Sequence, residues 1–470
     1  MEMCRDFLLL FCRQKEKGIR LDAGTKTRKR LPMYALIDSN NFFVSCERLF
    51  RPDLAKRPVV VLSSNDGCVV SRSNEAKALG IPMGAPRFKF RDTFRREGVV
   101  AFSANFELYG DISERISSLI TTITPHLELY SVDESFLDLH ELGLTDYTAW
   151  GRAVCQTILQ HVGIPVSIGI APTKTLCKIA AERAKKQPEL AGAHHLDPTD
   201  EARLLATSRA LAITNVQDIW GIGWRLAPKL RGEGILTATD VAQMRPQRAQ
   251  QLMGIHGRHI VYELNGTSCL PLQQHTKPQH IISRGRQFGS DTNNFATIEA
   301  AVTTLASHAT TELRREHQLA THAAVLLRTN RHKPSYTKLL ASARFYTPTA
   351  DTGLICSQLI RSLARVFNPH QQYHKAEVVL YDLVPADSLQ TDLFGAVNLP
   401  TDERSRLRMQ ALDAITAKHG HSALRYAAEA LSSRWRPRSN LLSPRYASSW
   451  EELPKVMASG PVHGSLDLFG

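Results

Sequence analysis

Tyr130-Ser-Val-Asp-Glu-Ser-Phe136 carries two adjacent carboxylates, Asp133 and Glu134, between two runs in which apolar and polar residues alternate, 127–130 and 136–139. Such alternation is typical of β-strands. Successive side chains of a regular strand point to opposite faces, so the two acids cannot serve one site from within a strand. The pattern therefore predicts two strands with the acidic pair at or beside the turn that joins them, where both carboxylates can converge.

A third carboxylate, Asp38, ends the apolar run that begins at Met33. Magnesium prefers hard oxygen ligands and often shares its site with substrate phosphates. Two such ions about 3.5–4 Å apart can activate an attacking oxygen and stabilise a leaving one. Asp38, Asp133 and Glu134 together predict a catalytic site for two Mg²⁺ ions and a nucleotide triphosphate. Taken alone, an Asp-Glu pair is more often an ordinary solvated turn.

The composition is that of a globular protein with several domains and a basic surface. The 470 residues are 43% hydrophobic and carry 58 Lys and Arg against 45 Asp and Glu, a formal net charge of +13. This excess suits a polyanionic partner, although a merely basic protein would have the same balance. Eight scattered cysteines without a Cys-x-x-Cys pair predict a reduced, cytoplasmic protein. No apolar stretch has the length of a membrane span.

Further motifs around the carboxylates form a family pattern. Residues 38–47, Asp-Ser-Asn-Asn-Phe-Phe-Val-Ser-Cys-Glu, and residues 131–136 resemble the two catalytic motifs of the Y-family (translesion) DNA polymerases. Leu62–Val70, Ser73–Gly80 and Leu442–Tyr446 are similar to the UmuC group, the catalytic subunits of bacterial DNA polymerase V. The resemblance implies an error-prone DNA-directed DNA polymerase of the SOS response that adds dNTPs opposite damaged template bases.

The fold implied by this resemblance is α+β, a multidomain right-hand polymerase with a C-terminal extension. We expect a nucleoid-associated protein whose residues 1–32 are a dispensable extension, with Met33 as the natural start. The other expected segments are the palm (33–44 and 99–200), small fingers (45–98), helical thumb (201–272), linker (273–279), little finger (280–384) and tail (385–470). In the little finger, strands and helices alternate as 280–288, 296–317, 322–329, 337–345, 353–367 and 376–383, the split β-α-β repeat of a ferredoxin-like domain.

The resemblance also assigns residues to the incoming nucleotide. Phe43 occupies the position of the steric gate, an aromatic ring that leaves no room for a ribose 2′-hydroxyl. The Ser39 carbonyl is expected to complete one metal site. Arg72, Lys77 and Lys178 are expected to bind the triphosphate, and Lys178 shares a helix face with Lys174. Several family members carry a Tyr where this chain has Asn74, so that contact with the triphosphate is missing here.

Two segments are expected to contact DNA. Gly221-Ile-Gly223 resembles a helix-hairpin-helix turn, in which free backbone amides bind phosphate oxygens, and Arg225 lies beside it. In the little finger, four arginines at strand positions or strand ends can follow the phosphate backbone or form a solvated basic face: Arg284, Arg286, Arg328 and Arg331.

The tail carries a sequence that resembles the peptide by which bacterial polymerases bind the sliding clamp. In Gln390-Thr-Asp-Leu-Phe394, the apolar Leu393 and Phe394 would fill pockets while Gln390 fixes the register. Ser465–Phe469 is a second, similar segment without the glutamine. Residues 403–430 show a helical pattern. The partners that the family implies are primer-template DNA, a UmuD-type dimer, RecA and the clamp.

Two other functions compete with a polymerase. Nucleotidyl cyclases of the diguanylate type also place carboxylates on a palm-like sheet with Mg²⁺, but their Gly-Gly-Asp/Glu-Glu-Phe signature is absent from the sequence. A non-catalytic DNA-binding repair factor would use the thumb and the basic little finger alone. Acids at all three expected positions, 38, 133 and 134, favour the polymerase.

Overall fold

The protein is described by a computed structural model over residues 32–273, 279–387, 399–420 and 423–453, with backbone alone at 399–402. The expected extension, the segment Gln390–Phe394 and the segment Ser465–Phe469 lie outside these residues, apart from Pro32.

The palm is a five-stranded sheet in the order β5-β6-β1-β7-β8. Its strands are β1 (Tyr34–Ser39), β5 (Leu127–Leu129), β6 (Glu134–Asp138), β7 (Val166–Ala171) and β8 (Ala193–His195). The central strand β1 pairs antiparallel with both β6 and β7. Its first four residues are apolar because the strand is covered on both sides: Ala35 and Ile37 enter one core, Tyr34 and Leu36 another.

Helices cover the two faces of the palm sheet. One core contains residues of α1 (Phe42–Leu49), α4 (Phe106–Thr121) and α5 (Tyr147–Val162). The other contains α6 (Lys174–Lys186), which follows β7 directly and packs closely against it.

The fingers contain a three-stranded sheet in the order β3-β2-β4, with strands β2 (Val59–Leu62), β3 (Val69–Arg72) and β4 (Val100–Ser103). Two short helices accompany it, α2 (Asn74–Ala78) and α3 (Arg91–Arg96). The expected boundary between residues 98 and 99 falls just before β4, which pairs with β2. The sheet therefore uses residues from both expected segments.

The thumb is helical. Its helices are α7 (Glu201–Ile213), α8 (Ala227–Gly232), α9 (Ala238–Ala242), α10 (Pro246–Met253) and α11 (Ile255–Leu264), with a 3₁₀ turn at Val216–Asp218. Apolar residues of the thumb and of α6 form one continuous core, so the thumb packs on the palm through the helix that follows β7.

The little finger has the predicted β-α-β-β-α-β order. Its elements are β9 (Ile281–Thr292), α12 (Phe295–Arg315), β10 (Gln318–Thr329), β11 (Lys338–Thr349), α13 (Thr352–Val366) and β12 (Tyr373–Pro385). The sheet order is β11-β10-β12-β9 with all neighbours antiparallel, so each helix connects strands that are separated by a third.

The tail begins with α14 (Leu399–His419), which is held to the little finger by ion pairs such as that between Arg314 and Asp413, 2.6 Å. The helical pattern expected over 403–430 is wrong beyond His419. Gly420 adopts a left-handed conformation with φ of 80°, which ends the helix. Of the described residues 423–430, Ala427–Ala430 form a short 3₁₀ turn.

Residues 435–446, here called the strap, return from the little finger across the fingers to the palm. Trp435 is buried in the little-finger core with 6% exposure, and Tyr446 is buried in the palm core with 8%. Between them, Leu441 exchanges hydrogen bonds with Ser103 of β4: its carbonyl accepts at 2.9 Å and its N–H donates to the Ser103 hydroxyl at 3.0 Å. The strap thus contributes to three parts of the molecule.

The loop after β2 in the fingers supplies further partners for the strap. The Arg438 N–H donates to Asn65 at 2.8 Å, and the Asn440 N–H donates to Asp66 at 3.1 Å. Asn65 in turn donates to the carbonyl of Phe288 in the little finger at 2.9 Å. These contacts fix the strap against the fingers and, through Asn65, against the little finger.

Candidate active site

The three predicted carboxylates converge at one end of the palm sheet. Asp38 lies directly opposite Glu134 in the β1–β6 register. The N–H of Ser39 donates to the Asp133 carbonyl at 2.9 Å, and the Ser131 hydroxyl donates to the Asp133 carboxylate at 2.6 Å. Asp133 therefore lies in the turn and Glu134 is the first residue of β6, as the alternation predicted.

Two lysines of α6 contact the carboxylates. Lys185 Nζ lies 2.8 Å from Asp38 Oδ1, and Lys178 Nζ lies 2.8 Å from both oxygens of Glu134. Within the described ranges, no group of three His, Cys, Asp or Glu side chains is arranged to hold a metal ion. Asp38 and Glu134 are instead turned towards ammonium groups.

The electrostatics of the site favour a cation. Burial raises the pKa of Asp38, the adjacent Lys185 opposes that rise, and the charges of Glu134 and Asp133 add to it. Carboxylates this close repel one another unless positive charge lies between them. The possible metal ligands are carboxylate oxygens, which suit Mg²⁺. In this structure, the ammonium groups of Lys185 and Lys178 supply the positive charge next to those carboxylates. The residues therefore fit a divalent ion, provided that the lysines release the carboxylates.

Lys77 and Arg72 lie on the fingers side of this site. Lys77 lies on α2, and its pKa is lowered by partial loss of water around the ammonium and by repulsion from Lys185 and Arg72. Its Nζ lies 3.5 Å from Asn74 Oδ1. The charges of Lys185 and Arg72 thus act on Lys77, and of the three cations Lys185 is the one in direct contact with Asp38.

Lys185 was not among the predicted residues. The sequence contains a signal for it, because positions seven apart in a helix lie on one face and Lys185 follows Lys178 by that spacing. We instead grouped Lys178 with Lys174. The structure places Lys174 in a buried ion pair with Glu128, 2.5 Å, so that Lys185 takes its place beside the acids.

Phe43 lies on α1 at the edge of the palm core and is half-buried. Its ring stacks on Tyr109 with a centroid distance of 4.5 Å and an interplanar angle of 14°. The Tyr109 hydroxyl donates to the fully buried Glu47 at 2.7 Å, which fixes the ring behind Phe43. Phe42 is buried with 3% exposure and serves the core.

The expected DNA-contacting residues differ in their accessibility. Gly221 has φ of 92°, which favours glycine, and Gly221, Gly223 and Arg225 are exposed. Trp224 in the same turn is 79% exposed, and its ring lies 4.9 Å from the Arg225 guanidinium carbon.

The little-finger arginines divide into two pairs. Arg284 and Arg328 form ion pairs with Glu312 and Glu377, respectively. Arg286 and Arg331 have exposed side chains on the strand β9 and on the loop after β10.

Comparison with known proteins identifies the family. The impB/mucB/samB family matches residues 37–182, its C-terminal domain matches 279–393, and a domain of unknown function (DUF4113) matches 408–456. Protein UmuC of Salmonella typhimurium is 37% identical, over 90% of this chain and 100% of that protein. The chain belongs to the impB/mucB/samB family. Protein SamB of Salmonella typhimurium, another similar protein, is 36% identical over 90% of this chain and 99% of its own length.

A more distant relative and a solved structure are also similar to this chain. DNA polymerase IV of Moorella thermoacetica is 29% identical over 83% of this chain and 94% of its own. A Y-family DNA polymerase chimera of Dbh and Dpo4 superposes with a TM-score of 0.60 at 20% identity, over 75% of this chain and 99% of the chimera. The similarity to the chimera shows that this chain has the fold of that polymerase.

Membership of the impB/mucB/samB family confirms the predicted activity, that of an error-prone translesion DNA polymerase of the bacterial SOS response. The α+β right-hand fold is confirmed as well. Y-family polymerases act on primer-template DNA and dNTPs and use divalent metal ions. None of the helices in the described part of the chain has the length and apolar character to cross a membrane.

Proposed function

We propose that this chain adds deoxynucleotides to a primer with Asp38, Asp133 and Glu134 as the ligands of two Mg²⁺ ions. The observation that carries this proposal is the β1–β6 register, which brings all three acids to one end of the sheet. When bound there, such a pair would lower the pKa of the primer 3′-hydroxyl and shield charge on the triphosphate. We assign the Ser39 carbonyl to the ion on the nucleotide side.

The chain's own cations would bind the triphosphate. The charges of Lys185 and Arg72 act on Lys77, and a Lys185 ammonium released from Asp38 is available to phosphate oxygens. An ammonium is a compact point charge suited to such oxygens. Lys178, which the family resemblance also assigned to the triphosphate, contacts Glu134 instead, so its role is taken up below.

Phe43 is proposed to exclude ribonucleotides. Its ring is backed by Tyr109, so it cannot retreat into the core when a 2′-hydroxyl approaches. Gly221, Gly223 and Arg225 of the exposed thumb turn are proposed to bind the duplex backbone, and Arg286, whose side chain is exposed on β9, is proposed to join them.

The protein partners are proposed from family membership. These are a UmuD-type dimer, RecA, and the sliding clamp bound through Gln390, Leu393 and Phe394. We expect the protein to act in the cytoplasm on the nucleoid.

The decisive experiment is primer extension over an abasic template by the complex reconstituted with its partners. We expect Asp133→Ala to reduce extension by about 10³-fold or more, since the ions lose a shared ligand. Asp92→Ala is the matched control, because Asp92 is an exposed acid on α3 outside the site. Equal product from wild type and Asp133→Ala would remove the proposed site.

A further inference from the structure

Lys178 lies in an aromatic enclosure while it contacts Glu134. Its Nζ is 4.5 Å from the ring centroid of Tyr130, 5.4 Å from that of Trp220 and 5.9 Å from that of Phe136. The same ammonium makes both contacts of 2.8 Å with Glu134, and the two charged side chains are only 18% and 20% exposed. Aromatic faces attract cations, and more strongly where water is partly excluded.

The walls of this enclosure come from separate parts of the molecule. Tyr130 precedes the turn that carries Asp133, whereas Trp220 belongs to the thumb and directly precedes Gly221. The two rings meet edge to face at 5.7 Å, and the Trp220 Nε1–H donates to the Tyr130 hydroxyl at 3.2 Å. A thumb residue therefore contacts the segment that positions the catalytic acids.

We propose that Trp220 and Tyr130 are positioning residues that hold the Lys178 ammonium on Glu134, so that the position of the thumb controls how readily Glu134 accepts a divalent ion. This inference rests on the proposed function, in which Glu134 is a metal ligand. It replaces the triphosphate role that was expected for Lys178, because the ammonium is already engaged by one carboxylate and three rings.

The direction of the coupling follows from the contacts. A divalent ion must compete with Lys178 for Glu134, and the enclosure favours the lysine. Any displacement of Trp220 removes one aromatic face and the hydrogen bond to Tyr130. Lys178 is then held less firmly, and Glu134 becomes available. Because Trp220 adjoins the exposed turn Gly221–Gly223, a duplex bound at that turn acts on the residue that restrains Lys178.

The test measures Ca²⁺ binding to the DNA-free full-length chain by calorimetry, with Ca²⁺ as the probe. We expect Lys178→Met to tighten Ca²⁺ binding by about 5-fold or more, the lower end of usual coupling between sites. Trp220→Leu and Tyr130→Phe should tighten it by a smaller factor. Tyr130→Phe loses only a hydroxyl on a residue that is 43% exposed, so it keeps the test valid if Trp220→Leu fails to fold.

Lys185→Met is the matched control, since it removes an equal charge from the neighbouring carboxylate without touching the enclosure. The effect of Trp220→Leu should persist in the Lys185→Met background and vanish in the Lys178→Met background. An effect of equal size in both backgrounds would overturn the proposal, as would unchanged Ca²⁺ affinity in Trp220→Leu and Tyr130→Phe.

The proposed function is judged by a different result. If Ca²⁺ affinity is the same in all these variants while Asp133→Ala still abolishes primer extension, the coupling is wrong and the polymerase site stands. If Asp133→Ala extends primers as wild type does, the site itself fails and the coupling fails with it.

Discussion

Asp38 occupies a site that disfavours its own charge, and this has a measurable effect on stability. Because its pKa is raised in the folded protein, mainly by burial, the ionised carboxylate lowers the free energy of unfolding above that pKa. Asp38→Asn should therefore raise the free energy of unfolding at pH 7 by about 0.5–1 kcal/mol, while abolishing activity. The gain should shrink as the pH falls through the raised pKa, which urea titrations at several pH values would show.

Asp53→Asn is the control for that experiment. The hydrogen bond from Arg51 lowers the pKa of Asp53, so its ionised form is favoured by folding. The stability effect should therefore have the opposite sign at pH 7. A loss of stability at pH 7 in Asp38→Asn as well would contradict the expected strain at the acidic site.

Phe43→Ala should admit ribonucleotides, because it removes the ring that stacks on Tyr109 at 4.5 Å. We expect the ratio of ribonucleotide to deoxyribonucleotide incorporation to rise by about 10–200-fold, the range usual for steric pockets. Single-nucleotide insertion kinetics would measure it. Phe43→Tyr keeps the ring and should keep the discrimination, and persistent discrimination in Phe43→Ala would refute the steric gate.

The positions of single residues were predictable where they depend on a strand or motif. That Asp38, Asp133 and Glu134 lie at one end of the sheet was predictable because strand ends and turns leave a clear pattern of alternation. The ion pair between Lys185 and Asp38 was not, since it joins residues separated by 147 positions and depends on how α6 packs on the sheet. The contact of Trp220 with Tyr130 was missed for the same reason.

At the scale of elements, the close approach of α6 to β7 depends on Gly169. A Cβ at this position would lie 2.0 Å from the Cys177 carbonyl oxygen and 2.3 Å from the Ala181 nitrogen, both backbone atoms of α6. Gly169→Ala should therefore push α6 away from the sheet and lower the free energy of unfolding by about 3 kcal/mol. Urea titration would measure this.

Gly110→Ala is the matched control for Gly169→Ala. Gly110 lies within α4, and a Cβ there would meet nothing within 4 Å. Alanine is the better helix former by about 1 kcal/mol, so this variant should be slightly more stable than wild type. If neither Gly169→Ala nor Gly110→Ala lowered the free energy of unfolding, the tight packing of α6 on β7 would be disproved.

Helices and strands whose apolar residues recur with a clear period had bounds that were predictable to within a few residues. These include all six elements of the little finger. The strand β4 was not predicted, because Val100–Ser103 is short and its pattern is ambiguous. The helical pattern at 403–430 extended past the true end of α14, since periodicity alone does not register the left-handed Gly420.

At the scale of the molecule, the strap links the little finger, fingers and palm. A chain that ends at residue 434 lacks Trp435 and Tyr446, and removing a buried Trp alone usually costs about 3–5 kcal/mol. We expect its little finger to unfold in a separate transition at lower temperature, because the contacts that couple it to the fingers are gone. Calorimetry would resolve the two transitions.

A chain that ends at residue 453 is the matched control, since it keeps the strap and every described residue. It should unfold as the full chain does. If the chain ending at 434 unfolds in the same way as the chain ending at 453, the strap does not couple the domains.

The division into palm, fingers, thumb and little finger followed from motifs and element order, but the strap did not. Six of the twelve residues 435–446 are Arg, Ser or Asn and two are Pro, and the segment has no helical or strand period. Their partners lie far away in sequence, as with Ser443 and Asn105, whose hydrogen bond spans 338 positions. Such a segment acquires its conformation from the domains that it joins.

The strap also has a consequence for the making of the protein. Chains emerge from the ribosome in order, and earlier domains generally fold while later ones are still being synthesised. Every residue of the candidate site is therefore translated before the strap, which links the little finger and the fingers to the palm. A product that ends at a stop codon before residue 435 contains all the acids and lysines of the site but lacks the strap. Because its domains are less firmly held together, cellular proteases will cleave it faster than the full-length protein.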